Sequence, residues 1–135
     1  MSDFVFSYRV AISDINYGGH MGNDRSLSLF HEARIAFLTS LGLSELNIGD
    51  NKGIIMKDAH VDFLAEIFHA DELEVKVKLG EIRGLLFYLN YEVFRQWDKK
   101  IVLEGKTGIL AFDYYRKKLT RTPESFFQKI QELYG

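Results

Sequence analysis

The 135-residue sequence contains no cysteine, a single proline, and no apolar run approaching the roughly 20 residues that a membrane-spanning helix needs. Without cysteine there is no disulfide framework, thiolate zinc site, iron–sulfur cluster or cysteine nucleophile. A reducing compartment suits such a chain, and the expected location is cytoplasmic. An excess of one charge is also lacking. Lysine and arginine number 17 against 19 acidic residues, and outside Arg116-Lys117-Lys118 the basic residues are scattered, which leaves no broad electrostatic footprint for nucleic acid. Met1-Ser2-Asp3-Phe4 shows no basic patch followed by an apolar run, so the chain reads as soluble and unprocessed, with neither nucleic acid nor membrane as a partner. What the chain does have is apolar content: 47% of its residues are hydrophobic, enough for the core of one domain over residues 1–135.

Phe4, Phe6, Tyr8 and Val10 alternate with Val5, Ser7, Arg9 and Ala11, the period of a strand, and residues 4–13 are expected to form one. Residues 14–23 follow with three glycines and two asparagines, which together predict a sharply turning loop. Asn23 or Asp24 can then cap a helix that runs through Leu27, Phe30, Ala33, Phe37 and Leu41 to a stop at Gly42. Apolar residues cover most of that helix, so it is expected to be wrapped by a sheet. After a loop at 47–52, strand-like runs occupy 53–66, 71–83, 85–96 and 101–114, with turn chemistry at Arg83-Gly84 and at Trp97-Asp98-Lys99-Lys100. Thr122-Pro123 begins a short helix with Phe126, Phe127, Ile130 and Leu133 on one side. The order predicts an α+β domain: an antiparallel sheet of about five strands curled round one long helix, plus a short C-terminal helix.

The most specific residues are Asp14-x-Asn16-x-x-Gly19-His20-Met21-x-Asn23, followed by Phe30-x-Glu32-Ala33-Arg34 and Leu38-x-x-Leu41-Gly42. Weaker echoes lie at Phe63 to Val75 and at Asp113 to Pro123. In order and spacing they resemble the hotdog-fold thioesterases, specifically the 4-hydroxybenzoyl-CoA thioesterase-like group and its acyl-carrier-protein relatives. The resemblance covers most of the chain. It implies hydrolysis of an acyl-CoA or acyl-carrier thioester without a cofactor, in a homodimer or dimer of dimers whose active sites are shared between subunits. Such pairing would also give the long edge strands a partner.

Thioester hydrolysis needs a polarised carbonyl and a carboxylate that attacks it or activates water. The N-terminus of the long helix, residues 22–25, is expected to hold the oxyanion. The resemblance places the catalytic aspartate of the aromatic-CoA members at Asn16, and an asparagine supplies no carboxylate. The resemblance passes the role first to Glu32, since other hotdog branches place their carboxylate on the central helix, where burial would tune it as a base, and then to Asp14 and Asp24. His20 is expected to hydrogen-bond the water or the carboxylate, with Asn16 orienting a water. Tyr17, Gly19, Asn23, Asp24 and His60 are the expected substrate-binding residues.

Each has a structural reading beside it. Glu32 can pair with Arg34; Asp14 and Asn16 can bond their own turn; His31 and His60 can be structural, as can a His20 that caps its turn. Arg116-Lys117-Lys118 is either a solvated strand end or a CoA-phosphate contact. Asp14, His20 and Glu32 repeat no established ligand spacing, so no metal is expected. Asp14-x-Asn16 with His20 also resembles the Asp-x-Asn-Pro-x-His motif of hotdog enoyl-CoA hydratases, though here no proline follows the asparagine and the histidine falls one residue further on. A non-catalytic acyl-CoA-binding module is the third reading, kept open by Asn16.

Overall fold

The structure, a computed structural model, describes residues 3–135; Met1 and Ser2, part of the N-terminal stretch read above, lie outside the described residues. In chain order the elements are β1 (Phe4–Arg9), α1 (Arg25–Ser40), β2 (Gly53–Phe63), β3 (Glu72–Arg83), β4 (Leu86–Arg95), β5 (Lys100–Asp113), β6 (Lys118–Leu119) and α2 (Glu124–Tyr134). All strand pairs are antiparallel, in the order β1-β3-β4-β5-β2, with β6 paired to the end of β5. Among the described residues the sheet therefore has six strands, one more than the five or so expected. The extra one, β6, has two residues, too few for an alternating pattern to reveal.

Two predicted strands end early, each for a visible reason. The first stops at Arg9 because the Asp14 carboxylate receives the Ala11 N–H at 2.9 Å, drawing Ile12–Asp14 into a 3-10 turn. The second stops at Phe63, after which the N–H groups of Leu64 and Ala65 both donate to the Val102 carbonyl, at 3.0 and 3.2 Å. Elsewhere the pattern is direct. Leu73, Val75 and Val77 of β3 are buried, while Glu72 and Lys78 face water.

α1 lies on the sheet by one face. Leu29, Phe30, Ala33, Phe37 and Leu38 are buried at helical spacing, and Phe30 stacks on Tyr91 of β4 with ring centroids 4.4 Å apart. Leu27 and Ile35 remain 48% and 43% exposed, so the helix is not wrapped on all sides as its composition suggested. Burying a ring such as Phe30 or Phe37 is worth about 1.5–3 kcal/mol, and these contacts fix the helix's height over the sheet. Gly105 of β5 permits that approach. A Cβ there would stand 2.3 Å from the His60 carbonyl oxygen and 2.8 Å from the Phe30 ring.

Arg34, also buried, does not pair with Glu32, because residues two apart on a helix point in different directions. Its Nε donates to Glu45 at 2.8 Å and its other arm reaches the Tyr91 hydroxyl at 3.3 Å, which itself bonds Thr107 at 2.9 Å. His31 closes the network on Glu45 at 2.8 Å, a structural histidine. Burial pushes the Glu45 carboxyl up, but the bonds from Arg34 and His31 outweigh it and hold the group below its ordinary value.

α2 opens after Pro123, as expected, and buries Phe126 and Ile130. Leu133 is 48% exposed instead of joining that face; Tyr134, four residues after Ile130, packs there in its place, against Phe4 and Phe37. Among the described residues no helix is long and apolar enough to cross a membrane.

Candidate active site

The loop between β1 and α1 is a small closed hairpin. Ile15 bridges Met21, the Asn16 N–H donates to the His20 carbonyl at 3.0 Å, and the Gly19 N–H donates back to the Asn16 carbonyl at 3.1 Å. Gly19 turns the chain with φ of 85°, a conformation that costs a glycine little. The Asn16 side chain accepts the Gly18 N–H at 2.8 Å, so its amide oxygen is spent on the turn. Tyr17 projects fully into solvent at the tip.

Asp14 anchors this hairpin from beneath. Only 3% exposed, it accepts the Tyr8 hydroxyl at 2.5 Å, the Ala11 N–H at 2.9 Å and Arg25 Nε at 3.2 Å, while its carbonyl receives the Gly22 N–H at 3.0 Å. Burial pushes its carboxyl up, but these bonds overcome the effect and leave it below the ordinary aspartate value. Burial and the Asp14 hydrogen bond push the Tyr8 phenol from 10 up to about 12. A carboxylate committed to three donors is a structural anchor and makes a poor base.

α1 starts immediately after the loop. The Arg25 and Ser26 N–H groups donate to the Gly22 and Asn23 carbonyls at 3.0 and 3.3 Å, and Gly22 N–H is taken by Asp14. Of the four N–H groups expected to hold an oxyanion, those of Asn23 and Asp24 alone have no hydrogen-bond partner among the described residues. The Asp24 side chain does not cap the helix.

His20, Met21, Gly22, Asn23 and Ser26 form one side of a cavity of about 230 Å³. Phe63, Leu64, Ala65, Glu66, Ile67 and Leu103 form the other. The two sides are joined by the Met21 N–H, which donates to the Ile67 carbonyl at 2.7 Å. His20 is half-buried with Nδ1 3.2 Å from the Met21 carbonyl. Glu66 is the carboxylate on this cavity. Its side chain makes no hydrogen bond or ion pair among the described residues.

Several expected residues fall elsewhere. Glu32 is exposed where burial was expected, and it lines a separate hollow with Tyr8, Asp14, Arg25 and His31. Asp14 lines that hollow and His20 the cavity beside Glu66, with Met21 lining both. His60 lies exposed on β2, 3.1 Å from Asp62, over a charged concavity of the outer sheet face with Lys76, Lys78 and Lys106, away from the His20 cavity. Alternation along β2 places it there. Arg116-Lys117-Lys118 sits at the β5–β6 turn, where Asp113 accepts the Arg116 N–H at 2.9 Å. Glu66 was missed because it closed the strand-like run read over 53–66, whereas β2 ends at Phe63 and leaves Glu66 in the connection to β3. The signal it did carry was a lone glutamate flanked by Ala65 and Ile67 after a run of apolar residues.

Residues 10–130 match the family model described as the thioesterase-like superfamily. Among solved structures, a 1,4-dihydroxy-2-naphthoyl-CoA thioesterase from Synechocystis is similar, with 23% identity, 98% of each chain covered and a TM-score of 0.85. So is a DHNA-CoA thioesterase from Staphylococcus aureus, at 18% identity over 96% of this chain and 91% of that one, with a TM-score of 0.82. A hypothetical protein from Staphylococcus aureus in complex with CoA reaches a TM-score of 0.85 at 18% identity, covering 98% of this chain and 84% of that one. At these identities what the three share with this chain is the α+β hotdog architecture.

Proposed function

Because the chain belongs to the thioesterase-like superfamily, we propose that it hydrolyses an acyl-CoA thioester to a free acid and CoA in the cavity between His20 and Glu66. The observation that carries this reading is the meeting, in one hollow, of a free carboxylate, a histidine, the start of a helix and an apolar wall. Glu66 takes a proton from water as the water attacks the thioester carbonyl carbon, with His20 orienting that water. The carbonyl oxygen gains negative charge at the start of α1, where the Asn23 N–H and the helix dipole favour it. Collapse of the tetrahedral intermediate breaks the carbon–sulfur bond, and the proton held by Glu66 passes to the leaving thiolate. Phe63, Leu64 and Leu103 receive the acyl group. CoA is preferred to an acyl carrier protein as the thiol because a neighbour of the same fold was solved with CoA.

Two copies are proposed to pair along β2. Among the described residues this 11-residue edge strand is bonded on one side only, to β5, and Met56 and Phe63 stand 41% and 50% exposed on it. Light scattering should give at least twice the 15.6 kDa chain mass. The activity is tested by thiol release from a panel of acyl-CoAs spanning short, long and aromatic acyl groups, with acyl carrier thioesters as a second arm. Turnover on either arm identifies the carrier. A folded protein inert on the whole panel would overturn the proposal.

A further inference from the structure

Glu66 is tied to the rest of the protein by a single hydrogen bond among the described residues: its carbonyl accepts Arg95 NH1 at 2.8 Å. Its neighbours are held otherwise, Ala65 by Val102 and Ile67 by Met21, so the segment is fixed on both sides of Glu66 and held at Glu66 by Arg95 alone. Arg95 is built for that task. At the end of β4, 7% exposed, it places Nε and NH2 as a fork on the Asp98 carboxylate at 3.1 and 2.8 Å. NH1 is then aimed at Glu66, with Asp71 3.9 Å away and the Trp97 ring covering the guanidinium at 5.0 Å. Asp71 in turn accepts the Phe68 N–H at 2.9 Å, so one guanidinium bears on both ends of the segment Glu66 to Asp71.

From this arrangement we infer that Arg95 is a positioning residue for hydrolysis, fixing the backbone of Glu66 so that its carboxylate faces the thioester beside His20. The inference rests on the Glu66 reading above and names what holds that residue in register. A planar fork is needed: a lysine ammonium is a point donor and cannot grip Asp98 bidentately while serving the Glu66 carbonyl. Arg95 does not line the cavity, so the proposed acyl contacts of Phe63, paired with Leu103, and of Leu64, anchored on Val102, are independent of it.

The test compares wild type, Arg95→Met, Arg95→Lys and Asp98→Asn, each alone and the first also with Glu66→Gln. For Arg95→Met, kcat should fall roughly 10- to 100-fold with KM within about threefold, the size expected when a reacting group is misplaced by about 1 Å. Arg95→Lys should recover part of the loss, and Asp98→Asn, at the hairpin tip, should lose less than either while keeping the fold. The double variant should be no slower than Glu66→Gln alone, because one residue acts through the other. Hydrogen exchange should quicken at residues 66–68 and not in β4 or β5. The inference is overturned by unchanged kcat in folded Arg95→Met, by losses that add in the double variant, or by loosening spread through the sheet in step with activity. An inert wild type instead overturns the thioesterase reading itself, and the Arg95 role with it.

Discussion

The segment from Asp14 to Asn23 and the segment from Leu64 to Asp71 each lend one stretch, His20 to Asn23 and Leu64 to Ile67, to opposite sides of one cavity, yet they are held by different kinds of bond. The first is fixed mostly from within. Asp14 reaches Ala11 and, 11 residues on, Arg25, Asn16 reaches Gly18 and His20, and one distant bond, from the Met21 N–H to the Ile67 carbonyl, ties it to the facing segment. The second is fixed from a distance: Glu66 by Arg95, 29 residues away, and Ala65 by Val102. Local bonds leave a sequence signature of glycine, asparagine and aspartate, because those residues make tight turns. Distant bonds leave none. The comparison also divides the labour between the two carboxylates: Asp14 builds a wall, while Glu66 is left with its charge free.

Glu66→Gln tests that division most severely. It should lower kcat by about 10²–10⁴-fold while leaving thermal stability nearly unchanged, as read by thiol release and a melting curve. His20→Ala, on the opposite wall, should lower kcat by about 10²-fold. Asp14→Ala should show the reverse pattern, with a stability loss of about 1–3 kcal/mol in denaturant titration from leaving buried donors unpaired. If Asp14→Asn abolished the acid limb of the pH–rate profile, Asp14 rather than Glu66 would be the base.

The pair Asp14 and Tyr8 also gives this wall its own pH signature. With Asp14 below its ordinary value when folded, its contribution is present at neutral pH and is lost as pH falls through that lowered value. Tyr8 works in the opposite direction. Its folded value of about 12 lies above 10, so between pH 10 and 12 the unfolded chain loses a proton that the folded chain keeps, and stability declines. Tyr8→Phe should flatten that decline in melts taken across the window, at a cost of about 1 kcal/mol near neutrality. The smallest effect belongs to Glu32→Gln, expected within about 0.5 kcal/mol in stability and roughly twofold in kcat. Loss of activity there would move the chemistry to the hollow beside Tyr8 and Arg25.

Alternation and turn residues made β3, β4, β5 and both helices legible, and the Gly/His/Asn run made the first wall of the cavity legible too. The helix face was half legible. Its apolar residues pointed to burial all round, but a helix on one sheet buries one side, and Leu27 and Ile35 are left open. Arg34 and Glu32 looked like partners until helical geometry sent Arg34 inward to Glu45 and Glu32 outward. His60 looked like a candidate for the cavity until alternation along β2 put it on the outer face.

The sequence by itself determined the family-like loop, the strand-and-helix order and the departure at Asn16, because periodicity and turn chemistry are local properties of neighbouring residues. Only the tertiary structure decided which carboxylate stands free beside His20. That depended on which segment lies across the cavity from the loop before α1, and such placements are set by how the sheet closes over α1.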